Sequence, residues 1–432
     1  MRTISLVLLL GVVAILFCPV TSNTHDDVKA LLTNIFTTNS YNKMVRPSAD
    51  QSLPTVMYVN LNLVGITDID EVQEKMSSTA FLELYWINDY INWDPSADND
   101  TEVIYVPQKN IWKPDIALEN GFTKLKELGD DFLLTTIYAE GLVNWRPYEV
   151  FETKCSINIQ YFPFDKQTCD IKFGVWTSPL SDVDVELGSK GILLDEYQTN
   201  GEWDLLTTSA KSSESQQEGA IVTFSITVKR KPQYILYNVV LPIIMLSLLS
   251  VFVFALPVDS GEKMGYIMTL YLAFAVFLTI VSASLPVSSS MSLLSLYLIL
   301  LLSLGTAIVM ITTLELRLHY RDTEVPMLAK MIVRLSKALR CHKSNKKVQD
   351  LSKIEATVSN GKGKMGKSPL EDQAKLSPVK PFVELELTWP DVTSAIDFFC
   401  FWFFLVANIV ITDSVFVDGF FKNIRMDEYE TD

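Results

Sequence analysis

The residues from Lys263 to Leu285 carry the most suggestive pattern in the chain. Gly265, Thr269, Leu272, Val276, Ile280 and Ala283 follow one another at steps of four and three, so on a helix they line up as one narrow stripe. The other positions, among them Tyr266, Ile267, Leu270, Phe274, Phe277 and Leu278, suit lipid or neighbouring helices. The run is long enough to cross a bilayer, yet its stripe is small and hydroxylic, with Glu262 and Lys263 at its start and Asp259 just before. Ion conduction is the chemistry such a pattern serves. One helix cannot enclose a pore, so several copies would have to surround the water. The same small residues would also let the helices of a closed bundle approach each other, and the stripe alone does not decide between the two.

Other chemistry is not legible. There is no nucleophile–base set, no phosphate-cradling loop and no cysteine pair at CxxC spacing, and His25, His319 and His342 are scattered, so no metal site or cofactor is expected. A membrane-anchored enzyme is therefore a remote alternative. In 432 residues, 51 acids face 36 bases for a formal charge of −15. That balance argues against nucleic acid as a partner and suits a surface that draws cations.

The elements that must position the stripe follow from patterning. The apolar run Ile4 to Phe17 with its small-residue exit reads as a secretory signal over 1–22. An exported segment, 23–232, comes next. Its short alternating runs, Val56 to Leu63, Phe81 to Trp86, Leu133 to Tyr138, Ile157 to Tyr161 and Ile221 to Val228, are separated by turn residues and predict an antiparallel β-sandwich. A helix over Asp26 to Thr37 should cap it. Cys155 and Cys169 are the only cysteines in this exported part and are expected to pair there. Asn99-Asp100-Thr101 is a glycosylation sequon. Beyond Pro232, four apolar runs can each span a membrane, three within 233–315 and a fourth at 396–417. The loop 316–395 holds basic residues close to the membrane, as a cytoplasmic segment does. Within it, Val325 to Leu339 reads as an amphipathic helix along the inner interface, and 344–381 reads as disordered. The tail 418–432 then lies outside.

Cys155-Ser-Ile-Asn-Ile-Gln-Tyr-Phe-Pro-Phe-Asp-Lys-Gln-Thr-Cys169, with its Phe162-Pro163-Phe164-Asp165 centre, strongly resembles the signature of the Cys-loop, or pentameric ligand-gated, ion-channel superfamily. Trp112-Lys113-Pro114-Asp115, Gly141 to Pro147, Lys172 to Thr177, Arg230-Lys231-Pro232 and Gly261-Glu262-Lys263-Met264 look like the family's markers in the family's order. The last of these, with Trp389, Val392 and Asp397, leans toward the nicotinic acetylcholine receptor branch, in a divergent and invertebrate form. The resemblance covers nearly the whole chain. It implies a pentamer of this and four further subunits, with an agonist-binding sandwich outside and the second span as pore wall.

By that resemblance, five copies of Glu262 form a carboxylate ring that favours cations, and Leu272 and Val276 form apolar constrictions. Gly265 stands where relatives usually carry Ser or Thr, and Ala283 where many nicotinic subunits carry an acid. Trp176 matches the tryptophan that faces an agonist's ammonium. Phe81 falls where the facing subunit usually offers Trp, and Glu119 replaces a usual Tyr. Leu134, Thr136, Asn144 and Arg146 are the other facing-side positions. The hairpin from Trp203 to Ile221 lacks the tyrosines and adjacent cysteines of nicotinic α subunits, which argues against acetylcholine being held in the usual manner. An Arg146 opposite Glu119 would suit a zwitterionic amine or amino acid as readily as a choline ester. Coupling to the pore is implied for Asp70, Glu71, Phe162, Pro163, Phe164, Asp165 and Arg230, meeting Pro286 in the linker after the second span. The expected protein is an agonist-gated cation channel subunit of the plasma membrane, with both termini outside and a postsynaptic placement in view. Its partners are membrane lipid, a small-molecule agonist and permeant cations. The alternative within the class is an accessory subunit that needs another to supply a competent binding face.

Overall fold

Strict alternation builds the first half of the chain. In β1 (Thr55–Asp70) Met57, Val59, Leu61 and Leu63 are buried, and in β2 (Lys75–Ile87) Ala80, Leu82, Leu84 and Trp86 are buried. The antiparallel register sets Val59 against Leu84, Leu61 against Leu82 and Leu63 against Ala80, so a single apolar face forms by the period-two rule. The computed structural model describes residues 24–98, 100–215, 219–283, 291–340 and 387–429. It consists of two units that part between Pro232 and Gln233.

The first unit is a β-sandwich. One sheet has the order β3 (Val103–Pro107), β5 (Leu134–Tyr138), β6 (Leu142–Trp145), β2, β1 and β9 (Val183–Leu193), with β7 (Tyr148–Lys154) also paired to β2. The other runs β10 (Trp203–Ser215), β11 (Gly219–Arg230), β8 (Lys166–Val175) and β4 (Ile116–Leu118). Rings from both sheets meet in the core, where Phe173 of β8 packs edge-on against Phe151 of β7 at 5.1 Å and against Phe224 of β11 at 6.3 Å. The β1–β9 pair is parallel because β9 enters the sheet by a crossover from β8 rather than through a hairpin. Helix α1 (His25–Thr33) is capped by Thr24, whose backbone N–H and hydroxyl both donate to Asp27, and Leu31 and the following Ile35 are buried. Cys155 and Cys169 are disulfide-bonded.

The run Ile157 to Tyr161 is not a strand. Ile157 and Ile159 do point inward while Ser156, Asn158 and Gln160 point out. The backbone of Asn158, however, is satisfied by the Gln167 side chain, which accepts from its N–H at 2.9 Å and donates to its carbonyl at 2.9 Å. One amide thus takes the place of a neighbouring strand, and the alternation records burial without a ladder.

Among the described residues the second unit holds four helices long and apolar enough to cross a membrane: α2 (Gln233–Ala255), α3 (Lys263–Ala283), α4 (Leu293–His319) and the 27 residues Trp389–Val415 of α6 (Trp389–Tyr429). Val251, Val253 and Phe254 of α2, Ile267 of α3, Ile308 of α4 and Phe404 of α6 form one buried cluster. Polar contacts pin the same helices: Asn408 donates to the Ser247 carbonyl at 3.3 Å, and the Tyr297 and Thr412 hydroxyls are 3.2 Å apart. Helix α5 (Met327–Leu339) packs Ala329 and Val333 on Trp389, Val392 and Ala395. Of its other apolar residues, Met327, Leu328, Met331, Ile332, Leu335 and Leu339 remain exposed. The expected signal segment 1–22, Asn99, Pro286 with the linker 285–288, and the segment 344–381 lie outside the described residues.

Candidate functional site

Helix α3 has two unlike sides. Lys263, Ile267, Phe274 and Val281 are buried against the bundle. On the opposite side Gly265, Thr269, Leu272, Val276, Ile280 and Ala283 are all exposed, with Leu272 at 65 % and Val276 at 50 %. A helix that packed its small residues against neighbours would bury this stripe, so close helix approach within the chain is not what the stripe is for. A Cβ at Gly265 would meet nothing within 4 Å, and Glu262 is exposed at the stripe's mouth. Lys263 does not accompany it. Its side chain turns into the bundle, fully buried, with Nζ 2.7 Å from Glu315 and bonded to Asp397.

In the sandwich, register gathers the facing-side residues. Tyr85 pairs with Asn144, Asn144 with Thr136, and Phe81 with Tyr148. Paired residues share a face, and two-residue steps keep it, so Phe81, Glu83, Tyr85, Leu134, Thr136, Asn144 and Arg146 all stand on the outer face of the larger sheet. Arg146 bonds to the buried Glu83 carboxylate, which also meets Lys190 Nζ at 3.4 Å. Burial works against ionisation of Glu83, but Tyr85 and the two cations outweigh it and hold the carboxyl below the usual range. Burial and the adjacent carboxylate push the Tyr85 phenol up to about 12.

Trp176 and Glu119 belong to the other sheet. Trp176 follows β8 and is 59 % exposed. Its loop is clamped by Asp115, which accepts from the Thr177 N–H at 2.6 Å, the Thr177 hydroxyl, the Ser178 N–H at 3.2 Å and the Ser178 hydroxyl at 2.9 Å. Burial opposes the charge on Asp115, yet these donors keep its carboxyl below the ordinary value. Glu119 crosses the backbone of Gly174, where a Cβ would come within 2.4 Å of its carboxylate. Below Trp176 a cavity of about 360 Å³ is lined by Asp115, Trp145 and Lys113. Lys113 Nζ lies 5.1 Å over the Trp145 ring and 2.8 Å from Glu127, so the chain's own cation occupies that aromatic face.

A third cluster is centred on Arg230, which is 7 % exposed. Its Nε donates to Asp165 Oδ1 at 2.8 Å, and Nη2 donates to Asp165 Oδ2 at 3.2 Å and to Glu71 Oε1 at 2.5 Å. Its guanidinium sits 4.2 Å over Trp203 and 4.9 Å from Phe162. Phe162 and Pro163 are buried and Phe164 is half-buried. Asp70 accepts from the Gln73 N–H at 2.9 Å and closes the β1–β2 turn beside Glu71.

Residues 28–232 match the neurotransmitter-gated ion-channel ligand binding domain, and residues 239–380 match the neurotransmitter-gated ion-channel transmembrane region. The chain belongs to the neurotransmitter-gated ion-channel family. It is 31 % identical over 351 residues to the acetylcholine receptor subunit alpha-type unc-38 of Caenorhabditis elegans, covering 74 % of this chain and 68 % of that one. It is 32 % identical to the neuronal acetylcholine receptor subunit alpha-3 of Bos taurus, covering 71 % and 62 %. With the acetylcholine receptor subunit alpha-like 2 of Drosophila melanogaster it is 30 % identical, covering 84 % and 67 %. The chain thus spans about two thirds of the length of the curated relatives it matches. It is a nicotinic receptor-like ligand-gated channel subunit by family, and not an enzyme.

Sequence reasoning about this family member missed Glu83, Lys190 and the buried partners of Lys263. Glu83 left a signal, being an acid within the apolar run Phe81 to Trp86 at an outward-facing parity. Glu315 left a stronger one, since an ionisable residue inside an apolar span is costly unless it has a partner.

Proposed function

We propose that this chain is a subunit of a pentameric, agonist-gated, cation-selective channel whose pore is lined by α3. The observation that carries the reading is the bare stripe from Gly265 to Ala283 opposite a buried back face. In this reading 23–232 is the extracellular sandwich, 233–315 and 396–417 are the spans, 316–395 is cytoplasmic and 418–432 is outside. The subunit sits in the plasma membrane with both mature termini extracellular, glycosylated at Asn99. Arg230 with Asp165 and Glu71 supplies the coupling region.

The exposed Glu262 at the mouth of the stripe supports cation selectivity, because five carboxylates around a narrow aqueous path attract cations and repel anions. Glu262→Gln should lower the cation preference, read as a move of the reversal potential toward the chloride equilibrium under ion substitution. Unchanged reversal potentials would remove the ring, and with it the selectivity, from the proposal.

Agonist would bind between the Trp176 edge of one subunit and the Phe81–Arg146 face of the next. The facing side offers two half-exposed cations, Arg146 and Lys190, against one buried carboxylate, which favours an agonist bearing an anionic group beside its amine. A zwitterionic amine or amino acid fits better than a choline ester. Trp176→Ala should raise the half-maximal agonist concentration about tenfold, since a cation–π contact contributes about 0.5–2 kcal/mol and 1.4 kcal/mol is roughly a factor of ten. An unaltered concentration curve would place the agonist elsewhere. The β10–β11 hairpin favours a second reading, an accessory subunit. Its outer residues from Thr207 to Ser213 include no aromatic ring, so a partner subunit would supply that wall. Agonist-evoked current from this chain expressed alone would exclude the requirement.

A further inference from the structure

The end of the bundle where α3 begins, α4 ends and α6 begins holds a charge cluster that the channel reading does not use. Lys263 Nζ is its centre, fully buried. Two carboxylates reach this one ammonium, Glu315 from α4 at 2.7 Å and Asp397 from α6. The Phe254 ring closes a further side at 5.7 Å. With both acids ionised the cluster would carry one uncompensated negative charge in an apolar surrounding, which is among the most costly arrangements a bundle can hold. Moreover, Glu315 is 1 % exposed and its Oε1 is buried without a hydrogen-bond partner among the described residues. Carboxylate oxygens can only accept, so neither acid can satisfy the other unless one of them carries a proton.

The neighbouring groups supply the missing charge only from a distance, through Arg340. His319, one turn along α4 from Glu315, is engaged by Asp259 at 2.8 Å and by the Thr393 hydroxyl at 3.3 Å. Arg340, at the end of α5, donates to the Ser394 hydroxyl and carbonyl and lies 4.9 Å over Phe398, within electrostatic range of Asp397. The Cys400 thiol is the remaining titratable group beside the cluster on α6, and Glu262 precedes Lys263 but is exposed on the stripe. The cluster also has an approach. A cavity of about 470 Å³ is lined by Asp259, His319 and Arg340 and has Asp397 on its wall.

We infer that Lys263, Glu315 and Asp397 form a proton-binding site, in which the two carboxyls share one proton at neutral pH and exchange it through the cavity beside Asp397. The shared proton makes the cluster neutral, gives Glu315 Oε1 a bond, and sits against the first residue of α3. Gain or loss of that proton changes how firmly the start of α3 is held to α4 and α6. Two interacting carboxyls of this kind titrate as a pair rather than as separate groups. The site requires only the bundle, so it stands or falls independently of whether α3 lines a pore.

Infrared difference spectroscopy of the full chain in lipid vesicles, stepped from neutral to alkaline buffer, reads the proton directly. The expected result is a protonated-carboxyl carbonyl band that is present at neutral pH, is lost at alkaline pH, and is missing from Glu315→Gln. The glutamine is isosteric with the protonated acid and should fold. If it does not, Asp397→Asn serves, because removing either carboxyl leaves one acid for one ammonium and no site for the proton. A wild-type chain with no pH-dependent carboxyl band overturns the inference, as does a band unchanged in both variants.

Discussion

Arg230→Gln is expected to cost the sandwich about 3–5 kcal/mol, the usual effect of removing one partner from a buried ion pair. Four side chains depend on that guanidinium. Asp165 receives two of its N–H groups and Glu71 a third, and Trp203 and Phe162 pack against its faces. Glutamine reaches neither carboxylate with charge, so Asp165 stays buried and Glu71 partly buried without their cation, while Gln167 still donates to Asp165 at 2.6 Å. For a domain of this size each kcal/mol moves the midpoint of thermal unfolding by roughly 2–4 °C, so the loss should be on the order of 10 °C. Fluorescence-detected size exclusion of the solubilised full chain after heating would measure it. Arg230→Lys should fall between, because an ammonium keeps the charge but cannot form the two-pronged bond to Asp165. If the glutamine variant melted with the wild type, the cluster would be tolerating rather than stabilising the fold, and the carboxylates would have to be protonated or hydrated in its place.

How much of this was readable beforehand depends on the range of the interaction. Periodicity located β1, β2, β5 and β11 because alternation is a local property of each strand, and it located α3 and its bare stripe for the same reason. It misread Ile157 to Tyr161, where alternation was present but the hydrogen-bond partner was a side chain nine residues away. Site residues divide in the same way. Phe81, Leu134, Thr136, Asn144 and Arg146 were named by resemblance to the family, and only strand register brings them onto one face. The partner of Arg146 was not legible at all. Glu83 lies 63 positions away on a neighbouring strand, and nothing in the composition of either segment links them. Lys263 illustrates the opposite failure. Its position next to Glu262 suggested a shared place at the mouth of the stripe, but successive residues on a helix point about a hundred degrees apart, and the lysine turns to the bundle while the glutamate stays outside.

That division of α3 into a bare and a packed side makes the largest functional prediction. Leu272→Thr is expected to produce current at rest, with a spontaneously open fraction raised at least about tenfold. Leucines repeated around a narrow path exclude water, and a closed state held by dewetting loses its basis when hydroxyls replace isobutyl groups. Removing roughly 1 kcal/mol of apolar contribution per subunit is enough, since 1.4 kcal/mol in total already changes an equilibrium tenfold. Voltage-clamped cells expressing the chain, alone or with a partner subunit, would report the leak, and block by a large organic cation would assign it to the pore. Phe274→Thr supplies the contrast. Phe274 is 3 % exposed on the packed side, so the same chemical change there should reduce the amount of folded protein at the surface and leave resting current per channel unaltered. Leak from both variants would mean that general loosening of the bundle opens the path. No leak from Leu272→Thr at normal surface level would mean that the bare stripe does not face the water, and that another copy's helix covers it instead.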